Sequence, residues 1–190
     1  MKKLSLVKYL IVIIVVLLMG CENNNKLTEE TVLWEFHPKN HQEQWDLQAF
    51  QLINEFQAIQ NNFNVNDTLS LKTAVQQLIN TTDTLIAHTN TVDSLTQNIW
   101  MAGLQSFRNE LEALILEPDP VLMQDQWNMS TIAFIHFLAD IGYTKTNLYI
   151  FQITQDEKDI YWVGDSKTSK NPFDQKDRKE YMANYNLQDN

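Results

Sequence analysis

The sequence predicts a mainly α-helical fold, an antiparallel four-helix bundle followed by a small C-terminal β-hairpin. Three observations predict it. Four stretches of about 20 residues repeat apolar side chains at intervals of three and four, with short polar breaks between them. The 190 residues include only 4 Gly and 4 Pro, too few turn-formers for a many-stranded sandwich or barrel. After Gly142 the helical period gives way to β-branched and aromatic runs.

Ahead of these elements, Lys2, Lys3 and Lys8 precede an unbroken apolar run of 11 residues from Tyr9 to Met19. A membrane-spanning helix needs about 20 such residues, so the run fits the apolar region of a secretory signal. It ends in Leu18-Met19-Gly20-Cys21, with Leu three before the cysteine and a small residue just before it. This resembles the lipobox of bacterial lipoproteins. The resemblance implies a signal peptide over 1–20, cleavage after Gly20 and diacylglyceryl transfer to Cys21. Cys21 is the only cysteine, so no disulfide, cysteine nucleophile or thiolate metal ligand is expected once it is acylated. Cleavage removes three lysines and no acid, leaving 11 basic and 24 acidic residues and a net charge of −13. That charge repels anionic headgroups and gives nucleic acid no footprint, so the lipid must hold the chain at a membrane. Glu22 is not the Asp that would signal inner-membrane retention, which favours the outer membrane.

Residues 21–42 comprise the lipidated cysteine, a polar tether and an extended segment, Thr31 to Phe36, followed by a turn through His37-Pro38. The folded domain is expected over 43–173. Its first helix, 43–62, carries Trp45, Ala49, Leu52, Ile53, Phe56 and Ile59, with Phe63 just beyond. Asp67 is placed to cap the second, 68–88, whose stripe runs Leu71, Ala74, Val75, Leu78, Ile79, Leu85, Ile86. The third, 94–116, follows a break at Asn90 and Asp93 and carries Ile99, Trp100, Leu104, Phe107, Leu111, Leu114 and Ile115. Glu117-Pro118-Asp119-Pro120 ends it and starts the fourth, with Asp119 as cap and Pro120 in the first helical position. The fourth, 120–141, has Met123, Trp127, Ser130, Phe134, Phe137, Leu138 and Ile141 on one face, and Gly142 supplies the left-handed residue that stops it. Asn147–Ile153 and Asp159–Val163 read as strands joined by a loop over Thr154–Lys158, a hairpin that must lie on the bundle. Residues 174–190 read as a polar tail, frayed or forming a short terminal helix.

The residues contain no G-x-S-x-G, no Gly-rich phosphate loop, no H-E-x-x-H and no C-x-x-C. No carboxylate pair stands out as a general acid and base, and the chain reads as non-catalytic, with no cofactor. The Trp and Met residues on the helices read as core, and His88 and His136 as capping, core-edge or surface residues. His37 and His41 are four apart and are the only candidate metal ligands, for copper or zinc, if a turn brings them together. Asn-x-Ser/Thr triplets at Asn66, Asn80 and Asn128 carry no meaning in a bacterial lipoprotein.

A second resemblance spans about residues 48–176. It rests on Leu71-Lys72-Thr73-Ala74 with Leu78, on Trp100, and above all on Tyr161-Trp162-Val163-Gly164-Asp165-Ser166-Lys167 followed by Lys170-Asn171-Pro172-Phe173. These residues resemble a family of uncharacterised periplasmic helical domains found as lipoproteins or fused to copper-exporting efflux adaptors. The resemblance implies the helical fold and, in the family, soft-metal ligands. Here Gln97 and Asn98 stand where members often carry a His. Phe151-Gln152-Ile153-Thr154 stands where they often carry Tyr-Cys-Pro-Met. The expected function is therefore a non-catalytic envelope lipoprotein that binds a protein partner or small ligand. The alternative is a copper-handling accessory that uses His37, His41 and carboxylates in place of those ligands.

Overall fold

The computed structural model describes residues 43–143, 147–179 and, for the backbone, 183–185. Cys21, His37 and His41 lie outside the described residues. Among the described residues four α-helices form: α1 (Glu43–Asn61), α2 (Thr68–His88), α3 (Ser94–Leu116) and α4 (Pro120–Ile141). A 3-10 turn, Thr89–Thr91, joins α2 to α3. Each break is made by the residue the sequence points to. Asp67 accepts from the Ser70 N–H, Asp93 from Leu95 and Thr96, and Asp119 from Val121, so each satisfies N–H groups that a helix start leaves open. Gly142 closes α4 in the left-handed conformation, at φ 61° and ψ 42°.

The four helices pack as the predicted bundle. α2 lies along α1 and α3, and α3 along α4. The stripes of α1 and α4 are buried as expected, and those of α2 and α3 are buried apart from half-buried Ala74, Ile86 and Ile115. Ile99 differs, being 41% exposed while its neighbour Trp100 is buried against Trp45. α4 is also buried at Thr131 and Ile135, off the predicted face, because it meets α3 on one side and the sheet on another. The hydroxyls of Ser130 and Thr131 bond back to Gln126 O and Trp127 O one turn earlier, which lets polar residues sit inside.

The hairpin pairs β1 (Leu148–Gln155) with β2 (Lys158–Gly164), antiparallel, with Phe151 opposite Trp162 and Ile150 opposite Val163. Its turn is tighter than the five-residue loop expected. Asp156 and Glu157 alone make it, at φ 51° and 63°, the positive values a type I′ turn requires of both central residues. The 174–190 segment is neither helical nor wholly unpaired where it is described. β3 (Ser169–Lys170) pairs with β4 (Asp177–Arg178), and β5 (Ala183–Tyr185) adds to β1, giving the sheet order β2-β1-β5. Backbone pairing with Leu148–Ile150 therefore corrects the expectation of a terminal helix and carries the fold past residue 173.

The sheet is buried on both faces. Leu148, Ile150 and Val163 join the core of the bundle, while Tyr149, Phe151 and Trp162 form a second cluster on the opposite face. Phe151 and Trp162 stack with centroids 5.3 Å apart and planes 10° apart.

Candidate functional site

The Tyr161–Lys167 and Lys170–Phe173 motifs lie where the sheet meets the bundle. β2 is an edge strand, and side-chain amides from two helices take four of its outward backbone groups. Gln60, at the end of α1, is 1% exposed and holds Val163 from both sides: its Nε2 donates to Val163 O at 2.7 Å, and its Oε1 accepts from Val163 N at 3.0 Å. Asn128, on α4, donates through Nδ2 to Asp159 O at 2.8 Å and accepts at Oδ1 from Tyr161 N at 2.8 Å. The even-numbered β2 residues bond to β1, so positions 159, 161 and 163 are the ones left facing out. Neither amide is picked out by the periodicity, which flags apolar residues; Asn128 registers in the sequence only through a chance triplet.

Much of the rest of the motif is also spent on packing. At Gly164 a Cβ would lie 2.8 Å from Ser169 Cβ and 2.9 Å from Phe151 Cε2, so the crossing of β2 with the Ser169 segment requires glycine. Asn171 is fully buried and orders the following turn: its Oδ1 accepts from Phe173 N and its carbonyl from Gln175 N. Phe173 then meets Phe63 edge-on at 5.4 Å. Leu71 and Leu78 are core residues of α2, and half-buried Lys72 donates from Nζ to Glu117 O, tying the start of α2 to the end of α3.

Several concavities open on the described surface: one of about 190 Å³ lies between α4 and the hairpin, lined by Asn128, Lys158 and Phe173 among others, and three others are larger. One of about 350 Å³ lies between α1 and α2 over Ala58, Ile59, Leu71 and Ala74, with Asp67 on its rim. A polar one of about 300 Å³ is lined by Asn61, Asp165, Ser169 and Gln175 among others. The third, about 380 Å³, lies between α2 and α3 beside Arg108. Arg108 bonds to Asp83 at 2.5 Å and Glu112 at 2.9 Å, and the Asp83 carboxylate raises the already high guanidinium pKa. A guanidinium so held is a strut between helices rather than a proton donor. His88 turns Nδ1 to Thr84 O at 2.8 Å on the helix surface, and His136 is exposed on α4. Among the described residues no group of three or more His, Cys, Asp or Glu side chains could hold a metal. No described helix is long and apolar enough to cross a membrane.

No family model, curated protein or solved structure matches this chain. What the protein does has to be argued from its own residues. In the described part, the residues with the strongest sequence signal hold a sheet against a bundle.

Proposed function

We propose that this protein is a bacterial envelope lipoprotein, held in the outer membrane by acyl chains on Cys21, whose helical domain is a non-catalytic binding module for an envelope protein or small ligand. The carrying observation is the Leu18-Met19-Gly20-Cys21 sequence after an 11-residue apolar run, with its cysteine the only one in the chain. Stable anchoring needs more than one acyl chain, each contributing about 0.8 kcal/mol per buried CH₂. Two features of the folded part support the binding role. Tyr161, Val163, Gly164 and Asn171 of the Tyr161–Phe173 motif are engaged in packing and backbone bonds, while Asp165 and Lys170 line a polar concavity open to a ligand. Leu69, Leu116 and Val121 are 78%, 79% and 67% exposed at the bundle end where α2 starts, α3 ends and α4 starts, an apolar surface of the kind a partner covers.

Mass spectrometry of the protein purified from bacterial membranes tests the anchor. The expected mature chain starts at an acylated Cys21, and Cys21→Ala leaves the protein unacylated and out of the membrane fraction. A membrane-bound chain with a free Cys21 thiol would overturn it. Titration with Cu(I), Cu(II) and Zn(II) tests the copper-handling alternative. One-to-one binding at micromolar affinity, lost in His37→Ala with His41→Ala, would establish that alternative in place of the binding module.

A further inference from the structure

The polar concavity of about 300 Å³ lies where three elements meet: Asn61, the last residue of α1; the segment after β2, with Asp165 and Thr168; and the paired β3 and β4, with Ser169 and Lys170. Its side chains are unspent. Among the described residues, Asn61, Asp165, Thr168, Ser169 and Lys170 make no side-chain hydrogen bond or ion pair within the chain, and Asp165 and Lys170 do not pair with each other. Two of the other concavities differ. Arg108 is tied to Asp83 and Glu112, and Lys158 to Asp125 at 2.6 Å, so their charges are already matched. We propose that the polar concavity binds a small zwitterion, an ammonium and a carboxylate in one molecule as in an amino acid or a dipeptide: Lys170 takes the carboxylate and Asp165 the ammonium. The inference rests on the reading of the domain as a binding module, in its small-ligand form.

Charge selects this class of ligand. The chain carries a net charge of −10, which disfavours a simple anion, and Asp165 adds to that repulsion at the site itself. A simple cation meets Lys170. A neutral guest covers both charges and pairs neither, which costs free energy. A zwitterion satisfies both through charge-assisted hydrogen bonds, and the Thr168 and Ser169 hydroxyls and the Asn61 amide remain for its other polar atoms. The volume suits a ligand of that size. The frame is also set before a ligand arrives. Ser169 packs on Gly164, where an added Cβ would lie 2.8 Å from its own. Fully buried Asn171 donates its backbone N–H to Lys176 O at 3.0 Å, which fixes the chain beside Lys170. Gln60, next to Asn61, clamps Val163 two residues before Asp165. Walls held in this way leave little ordering for binding to offset.

Amide-resolved NMR titration of the full chain in non-ionic detergent, at constant pH and ionic strength, tests the site with L-alanine and L-alanyl-L-alanine. Saturable shifts confined to the neighbourhood of Asn61 and 165–175 are expected with at least one of them, and the tighter probe gives the charge spacing the site prefers. The N-acetylated form of that probe lacks the ammonium and its amide lacks the carboxylate, so each should bind at least about fivefold more weakly. Asp165→Ala and Lys170→Ala should weaken the zwitterion by as much and leave the melting temperature unchanged, because both side chains are exposed. In Asp165→Ala, acetylating the probe should cost nothing further. The blocked probes need no substitution, so they decide the matter even where a variant unfolds. No saturable shift with either zwitterion overturns the proposal, as does a blocked probe, or glucose, that binds as tightly as the zwitterion. Mass spectrometry of the same sample reads Cys21: an acylated chain that binds neither probe overturns this inference alone and leaves the anchor and a protein partner standing.

Discussion

Gly103 and Gly164 are both glycines, yet substitution should move stability in opposite directions. Gly103 lies inside α3, and an added Cβ would meet Asp140 and Phe137 at 3.5 Å or more, ordinary contact distance. Gly103→Ala should therefore stabilise the protein by about 0.5–1 kcal/mol, through lower backbone entropy in the unfolded chain. At Gly164 the same methyl would sit within 3 Å of Ser169 and Phe151, both held in packed segments. Gly164→Ala should cost about 1–3 kcal/mol, as overpacking does. Thermal melts of the two variants check both signs; a Gly164→Ala variant as stable as wild type would mean that the Gly164 crossing is not close-packed, and a destabilised Gly103→Ala would mean that α3 and α4 leave no room at Gly103.

At the scale of elements, the boundaries were legible wherever one side chain marks them. Asp67, Asp93, Asp119 with Pro120, and Gly142 are local signals, and each helix starts or stops beside its own. The hairpin turn was not legible, because a type I′ turn usually advertises itself with Asn-Gly or Asp-Gly, and Asp156-Glu157 lacks the glycine. Glu157→Gly should accordingly raise stability by about 1 kcal/mol and slow exchange of the β1 and β2 amides. β5 was hidden for another reason: three residues pairing with a distant strand leave no period to read. Nor could apolar patterning find Gln60 and Asn128, which act through long-range pairing with backbone. Of the candidate ligands, the spacing of His37 and His41 is legible in the sequence, but which carboxylates would join them is not. The Asp93 cap adds a pH dependence to α3. The Thr96 hydroxyl and N–H, with the Leu95 N–H, hold the Asp93 carboxyl below its ordinary value. Its contribution is complete above the unfolded carboxylate value of about 3.9 and fades as pH falls through the lower folded one. In an acid titration followed by circular dichroism, the wild-type advantage over Asp93→Asn should shrink below about pH 4; an advantage that grows toward acid would reverse the assignment.

Across the whole molecule, one aromatic centre joins parts that are far apart in sequence. Phe134 touches Phe56, Phe107 and Phe137 and is fully buried, so α1, α3 and α4 all converge on it. Phe134→Asp would place an unpaired charge there, and a loss of about 5 kcal/mol or more is expected, which removes most or all of the stability of an ordinary domain. A melting curve unchanged by that substitution would show that the centre does not hold the fold. The pairing of Gln60 and Asn128 with β2 has a consequence at this scale too. An unoccupied outer strand is a template on which a neighbouring copy can add its own strand, and proteins crowded on one membrane meet such neighbours often. Here Asp159 O, Tyr161 N and both groups of Val163 already have partners within the chain. The two amides thus guard this side of the sheet against self-assembly into fibres.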